Sequence, residues 1–283
     1  MDQAEKLRSM VDTGERRARV IAITSGKGGV GKTNLSVNLA IAMARLGRRV
    51  VVIDVDIGLA NADVLLNLSP RFHLGHVLGG EVSPLDALTR TDFGVYVLSG
   101  TSGSLAFSDL EDSERKFLIE SFRQLESYAD YILIDTGAGI SSNVIQFARS
   151  ADTIVVVTTP EPTAITDGYA MIKTLSREKG CGSIRLVVNQ AADRVEAGQV
   201  CDRIRMVSRR FLGLEVENLG HILSDNRVQK AVRRRRPFVL ESPRGPASSG
   251  VRQICDRLLA EDSGDRHDRF YKKFAEVLGE RRF

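Results

Sequence analysis

A doubly wound α/β fold with a mostly parallel sheet is predicted by three features of this sequence. Short runs of Val and Ile recur along the chain, helical patterns fill the intervals, and acidic or glycine-rich turns follow the runs. The runs are Val20–Thr24, Val50–Val55, Val95–Leu98, Tyr131–Ile134, Thr153–Thr158 and Ile184–Val188. Their near-continuous apolarity suits parallel strands whose two faces are both covered by helices. Strand–helix alternation implies right-handed crossovers and puts ligand chemistry at the carboxyl ends of the strands.

The first strand runs into Gly26-Lys27-Gly28-Gly29-Val30-Gly31-Lys32-Thr33, which fits the G-x-x-x-x-G-K-[ST] pattern of a phosphate-binding loop. In such a loop the glycines let successive N–H groups turn onto phosphate oxygens. Lys32 reaches the terminal phosphates, and the Thr33 hydroxyl holds Mg²⁺. Asn34 then opens a helix, expected over Asn34–Leu46, with Leu35, Leu39, Ala42, Met43 and Leu46 on one side and Gly47 as its stop. The second strand ends in Asp54-Val55-Asp56, and residues two apart on a strand face the same way. Asp54 and Asp56 therefore point together toward the metal and γ-phosphate. Tyr131–Ile134 closes on Asp135, ahead of Thr136-Gly137-Ala138-Gly139. An aspartate there holds Mg²⁺ directly or through a water. Any one of these aspartates alone would equally serve as a helix cap; the loop and both acidic ends in this order favour nucleotide. Asn189, past the strand Ile184–Val188, offers a donor and an acceptor to a purine edge. A loop or hinge is expected over Glu241–Gly250 and a linker over Asp262–Asp265.

Composition sets outer bounds. With 42% hydrophobic and 27% charged residues in 283, the chain can bury a sizeable core. A net charge of +4 mildly favours acidic partners, but the even balance argues against a dedicated nucleic-acid binder. Cys181, Cys201 and Cys255 are far apart, with no C-x-x-C, which excludes a disulfide framework and a zinc ribbon. Met1 is followed by Asp2 and Glu5, so no secretory signal is expected, and no apolar run reaches the roughly 20 residues of a spanning helix. A cytoplasmic protein is expected.

The second lysine, Lys27, at the front of the loop resembles the deviant phosphate-binding loop of MinD/ParA-type ATPases. That resemblance implies that Lys27 crosses a homodimer interface to the partner's phosphates, so that ATP holds the dimer together and hydrolysis releases it. It also implies that Asp54 orders the water shell of Mg²⁺ and that Asp56 positions the attacking water. Leu223-Ser-Asp225-Asn-Arg227-Val228 resembles the family's adenine-side loop, without its frequent proline. Glu161, in Thr159-Pro-Glu-Pro162, is placed by the same resemblance toward the partner's ribose, although Pro-flanked Glu is also ordinary turn chemistry. Within the superfamily the chain is most similar to the FlhG (FleN) family of flagellum-number regulators. The matching stretches are Gly31–Ala40, Asp56–Asp63, His76–Glu81, Ser99–Gly103 and Asp135–Ile140.

Both ends carry further devices. Asp2-Gln3-Ala4-Glu5-Lys6-Leu7-Arg8 matches the D-Q-A-x-x-L-R element of that family. Asp2 can cap a short helix bearing Ala4, Leu7 and Val11 on one side, and Gln3 suits orientation of a water for attack on a γ-phosphate. The resemblance implies a partner for it, an SRP-type GTPase of flagellar assembly whose hydrolysis it stimulates. At the other end, Phe270, Phe274, Val277 and Leu278 form one apolar stripe beside Lys272 and Lys273, the signature of a helix lying on an anionic membrane. The alternative is a last helix docked on its own core. Arg233–Arg236 would contact DNA or an acidic partner, or simply complement a helix end.

The expected organisation is an activator helix over 1–14, an ATPase domain over 15–262 and a membrane-targeting helix over 263–283. The expected function is an ATP-dependent homodimerising ATPase, using ATP/ADP and Mg²⁺, that controls flagellar number or placement while cycling between membrane and cytosol. A flagellar C-ring component or a transcriptional activator are further expected partners. Alternatives are a division-site or DNA-partition ATPase, and a nucleotide-gated anti-activator of flagellar transcription. A metal-cluster carrier is disfavoured by the unpaired cysteines.

Overall fold

Strands that are apolar on both faces need helices on both faces, and the computed structural model supplies them. It describes residues 17–56, 61–100, 112–260 and 270–279. The strands are β1 Arg19–Ser25, β2 Val50–Val55, β3 Thr89–Arg90, β4 Val95–Leu98, β5 Tyr131–Ala138, β6 Thr153–Thr158, β7 Ser183–Ala191 and β8 Glu217–Leu223. The helices are α1 Lys32–Arg45, α2 Ala62–Leu66, α3 Leu74–Leu78, α4 Asp112–Tyr128, α5 Ser142–Ser150, α6 Pro162–Leu175, α7 Arg194–Leu212, α8 Asn226–Arg233, α9 Phe238–Glu241, α10 Pro246–Ala260 and α11 Phe270–Gly279.

The sheet order is β3-β4-β2-β5-β1-β6-β7-β8, and every neighbouring pair is parallel except β3 with β4. Alternation along a strand feeds two cores. Val20, Ala22, Val51 and Ile53 join the layer of α3 to α7 and α11, while Ile21, Ile23, Val50 and Val52 join that of α1, α2 and α8 to α10. The register sets Asp54 of β2 opposite Asp135 of β5, which in turn lies opposite Ile23 of β1. Three adjacent strands thus deliver the glycine-rich loop and two aspartates to one edge.

Several expectations shift. The helix after the loop begins at Lys32, two residues before Asn34, because Gly31 (φ 93°) turns the chain directly into it. Two strands went unread: β3 is two residues long, and β8 carries Glu217, Asn218 and His221. The loop expected over Glu241–Gly250 is confined to 242–245, since Pro246 starts α10 and Gly250 lies within it. Gly250 has a packing reason, because a Cβ there would run into the His221 carbonyl oxygen of β8. The linker Asp262–Asp265 and the leader residues Asp2, Gln3, Ala4, Leu7 and Arg8 lie outside the described residues.

The largest correction concerns the last helix. A membrane-targeting helix was expected over 263–283, with docking on its own core as the alternative; its described part, α11, packs against α4 and α5. Phe270 and Phe274 are fully buried, and Val277 and Leu278 nearly so. Phe274 stacks on Phe147 (5.0 Å, 16°) and on Phe270 (5.4 Å, 13°), and meets Phe122 at 5.1 Å. The physical reason is that α4 and α5 bring Phe122 and Phe147 to a shared face that the stripe of α11 closes.

Glu126 of α4 finishes the docking, accepting the Phe270 N–H at 2.8 Å. Burial raises its pKa from 4.5 to about 7, against the opposing pull of that N–H and of Arg17. A folded value above the unfolded one means that the folded chain holds the extra proton. Stability therefore falls as pH rises between these values, by on the order of 3 kcal/mol in total. The melting temperature should drop between about pH 5 and about pH 8, and Glu126→Gln should flatten that slope. Equal slopes in the two proteins would place the titration elsewhere.

Candidate functional site

β1 ends at Ser25, and its hydroxyl donates to the Lys27 carbonyl at 2.7 Å, fixing the first turn of the loop. The loop passes through left-handed Gly29 (φ 78°) and Gly31 (φ 93°) before α1. Gly31 caps α1 without a side-chain bond, so the first-turn amides face the loop, where a phosphate would take them. Gly26 packs against α6, and a Cβ there would fall on the Asp167 backbone carbonyl. Gly28 has 3.8 Å of room to its nearest neighbour, Ala138. Gly26→Ala is therefore expected to displace the loop from α6 and to abolish binding in a fluorescent-nucleotide titration, whereas Gly28→Ala should melt as the parent does. A Gly26→Ala protein with parental affinity would refute this coupling.

Lys32 is buried, with 7% exposure. Desolvation lowers its pKa, while the charges of Asp135 and Asp56 oppose that shift. Asp135 lies behind it, accepting the Ser36 hydroxyl at 2.9 Å and bonded by the Thr33 side chain. Its second carboxylate oxygen is buried with no hydrogen-bond partner. Asp54 is saturated differently. Its Oδ1 accepts from Asp56 N at 3.0 Å, and its Oδ2 from Asn61 N and Ala62 N at 2.9 and 3.1 Å. Burial pushes both carboxyls up; the Asp54 charge raises Asp135 further, and the Asp56 charge raises Asp54. Asp56 is half-buried, lies beside Gly137 and feels the Lys32 charge.

A divalent cation fits this arrangement. Two buried carboxylates with one orphaned oxygen, next to the Thr33 hydroxyl, form the oxygen set that Mg²⁺ uses when phosphates supply its other ligands. Asp135 and Thr33 would hold the ion, with Asp54 behind them.

Lys27 takes no part in that cluster. Its Nζ lies 2.7 Å from Glu161 Oε1 and 2.7 Å from Thr163 Oγ1, at the open start of α6. Hydrogen bonds from Lys27 and then Thr163 lower the Glu161 pKa. Glu161 is the residue before Pro162, whose fixed φ starts the helix. Thr163 was not anticipated, and nothing in the sequence marks it. Ser36 was missed too, though a polar residue on the buried side of α1 was a usable signal.

On the side where a base would sit, Asn189 is already engaged. It donates to the Val30 carbonyl at 2.7 Å and accepts from Gln190 N at 2.9 Å, so it braces the phosphate loop. Gln190 has a left-handed backbone (φ 59°) beside Gly31 and is exposed. Asp225 and Arg227 bond to each other at 2.8 Å, with Asp225 capping α8. Ser224 N reaches the Ala191 carbonyl at 2.7 Å, so the segments after β7 and β8 lie side by side. The segments that carry Asn189 and Asp225–Arg227 are thus neighbours, while Val277, Leu278 and the two phenylalanines of α11 are buried in the core.

Comparison with known proteins gives a consistent picture. Residues 16–259 match the ParA family model, described as NUBPL iron-transfer P-loop NTPase. The chain is 39% identical over 240 residues to Antiactivator FleN of Pseudomonas aeruginosa, covering 85% of this chain and 86% of that protein. It is 35% identical over 244 residues to the flagellum site-determining protein YlxH of Helicobacter pylori, covering 86% and 82%. Among solved structures, a chain of the MinC:MinD cell division protein complex from Aquifex aeolicus superposes with a TM-score of 0.72 at 29% identity, covering 88% and 99%. Septum site-determining protein MinD of Pyrococcus horikoshii, complexed with Mg-ADP, gives 0.71 at 25% identity, covering 86% and 98%. Iron transfer finds no thiol cluster here. Cys181 and Cys201 lie on one side of the sheet and Cys255 on the other, and burial raises each thiol to about 11.

Proposed function

The chain belongs to the ParA family of P-loop NTPases, and on that premise we propose that it is a homodimerising switch ATPase that sets flagellar number or placement. It is an ATPase of the MinD/ParA type. The observation that carries the switch reading is the division of labour between two lysines. Lys32 is buried with Asp135 and Asp56, whereas Lys27 projects to the surface at Glu161 and Thr163. A lysine there is available to a second copy's phosphates, and Glu161 lies beside it to meet the second copy's ribose. Light scattering with ATP and Mg²⁺ tests this, as a dimer that Lys27→Ala does not form.

Within one site, the loop amides and Lys32 bind the phosphates, Asn34 continues the loop into α1, and Asp56 orients a water for in-line attack. Thr33 and Asp135, with Asp54 behind them, would hold Mg²⁺, which when bound would supply charge neutralisation on the phosphates. Gln190, Asp225 and Arg227 line the base side. The flagellar reading rests on the similarity to FleN, whose 39% identity exceeds the 36% to the putative MinD of Guillardia theta and the 34% to the MinD of Bacillus subtilis, and on YlxH at 35%. An anti-activator output, restraint of a transcriptional activator, is the second reading, favoured by the similarity to the protein named Antiactivator FleN.

Two further parts of the proposal concern the ends. The leader, through Gln3, stimulates an SRP-type GTPase of flagellar assembly. A peptide of the first residues should accelerate GTP hydrolysis by that partner, and Gln3→Ala should remove most of the effect. Leu7→Asp should weaken binding instead. A peptide that binds but leaves hydrolysis unchanged would make the leader a tether. The last helix provides membrane association, which requires α11 to leave α4 and α5, because a membrane and the core compete for the same four side chains. None of the described helices is long and apolar enough to span a bilayer, so the contact is peripheral.

A further inference from the structure

A pocket of about 340 Å³ lies at the edge of the sheet, between the end of α2, the β3–β4 turn and the segment after α8. The turn sits at the amino end of β4, whereas the phosphate loop sits at the carboxyl ends of the strands. The pocket is therefore at the opposite end of the sheet from the nucleotide. Leu66, Leu68 and Phe93 give it an apolar side continuous with the core. Around that side stand four exposed arginines, Arg90 and Arg234 to Arg236, against one acidic residue of the lining, Asp92.

The arginine run is held rigidly. Arg235 N bonds to the Val232 carbonyl at 2.9 Å, and Arg236 N to the Ala231 carbonyl at 3.0 Å, the paired bonds that close a helix end. That closure puts Arg235 in the left-handed region at φ 52°, where glycine is the favoured residue. Pro237 then disfavours a helical backbone at Arg236, so the helix cannot resume there. Complementing the helix dipole explains Lys230 and Arg233 in the last turn of α8, but the next three arginines lie beyond it. Arg234 reaches Glu241 at 3.5 Å, and among the described residues Arg235 and Arg236 have no carboxylate partner. A strained backbone kept for a charged side chain points to use of that side chain.

We propose that this pocket docks an acidic segment of a partner protein, seating an apolar side chain on Leu66, Leu68 and Phe93 and its flanking carboxylates on the arginines. Guanidinium groups meet carboxylates bidentately, which suits a run of Asp and Glu. A nucleic-acid backbone would satisfy the arginines but leave the apolar side unfilled. β3, the terminal strand of the described sheet, lies alongside and offers an edge to an extended chain.

The test uses a random-peptide library displayed on phage and selected on the full-length protein. Enriched peptides should combine several acidic residues with Leu, Phe or Trp. A synthetic copy should bind about tenfold or more weakly to the double variant Arg235→Gly, Arg236→Glu, in which glycine relieves the left-handed backbone. Leu68→Asp should weaken it as well. Arg203→Glu, an exposed arginine on α7, should leave binding unchanged, and ATP hydrolysis should be parental throughout. Enriched peptides without acidic residues, equal binding to the double variant, or an equal loss in Arg203→Glu would each overturn the proposal. So would displacement of the peptide by a short DNA duplex that the double variant no longer binds, which would make the pocket a nucleic-acid surface.

Discussion

Replacing Lys27 with alanine is expected to abolish the ATP-dependent dimer while leaving nucleotide binding within about threefold of the parent. The separation is possible because the two lysines stand in different places. Lys32, the loop amides and the start of α1 remain intact in the variant, and they are the groups proposed to meet a phosphate within one chain. What is lost locally is an ion pair with Glu161 whose partners are 33% and 58% exposed. Such pairs contribute little to stability, so the monomer should melt as before and a loss of dimer cannot be blamed on unfolding. In light scattering with ATP and Mg²⁺ the variant should stay at the monomer mass of 31.1 kDa, where the parent doubles. A stable dimer of the variant would remove the bridging role and with it the switch. Asp56→Ala should behave in the opposite way. With the water no longer oriented, hydrolysis should fall by on the order of 10² or more, and the dimer should persist.

How far the molecule can be read without its structure depends on the physical kind of each feature. Buried parallel strands are apolar on both faces, so β2, β4 and β6 were legible to the residue. The polar edge strand β8 and the two-residue β3 lack that signal. Glycine, lysine and aspartate at strand ends carry their chemistry in their identity, which is why Lys32, Asp54 and Asp135 stand out in the sequence, and the register brings them to one place. Asn189 shows the limit of such reasoning: its amide matches a purine edge and a loop carbonyl equally well, and only the fold brings the Val30 carbonyl within 2.7 Å. The segment Glu241–Gly250 was misread because Pro246 at the start of a helix and Gly250 against β8 look, in sequence, like the residues of a loop. An amphipathic stripe says that something must cover it, but not what. For α11 the cover is Phe122 and Phe147, more than a hundred positions earlier.

That cover changes what a substitution in the last helix will do. Read as a free tail, Phe274→Glu would cost membrane binding alone; in the folded chain Phe274 is fully buried among three other rings. A carboxylate there would have no polar partner, so the helix should come away and expose Phe122 and Phe147. The gentler Phe274→Ala isolates the packing contribution. It should cost about 3–5 kcal/mol, which for a chain of this size lowers the melting temperature by on the order of 10 °C. A change of a degree or less would mean that α11 is not docked in solution. The same geometry constrains the membrane proposal. If the helix binds anionic liposomes, it must first leave this site, so binding by the parent protein should be accompanied by faster amide hydrogen exchange in α4 and α5. Phe274→Glu should show that faster exchange without any lipid, together with weaker pelleting than the parent. Pelleting of the parent with α4 and α5 still fully protected would place the membrane contact on another face and leave α11 as a structural part of the core.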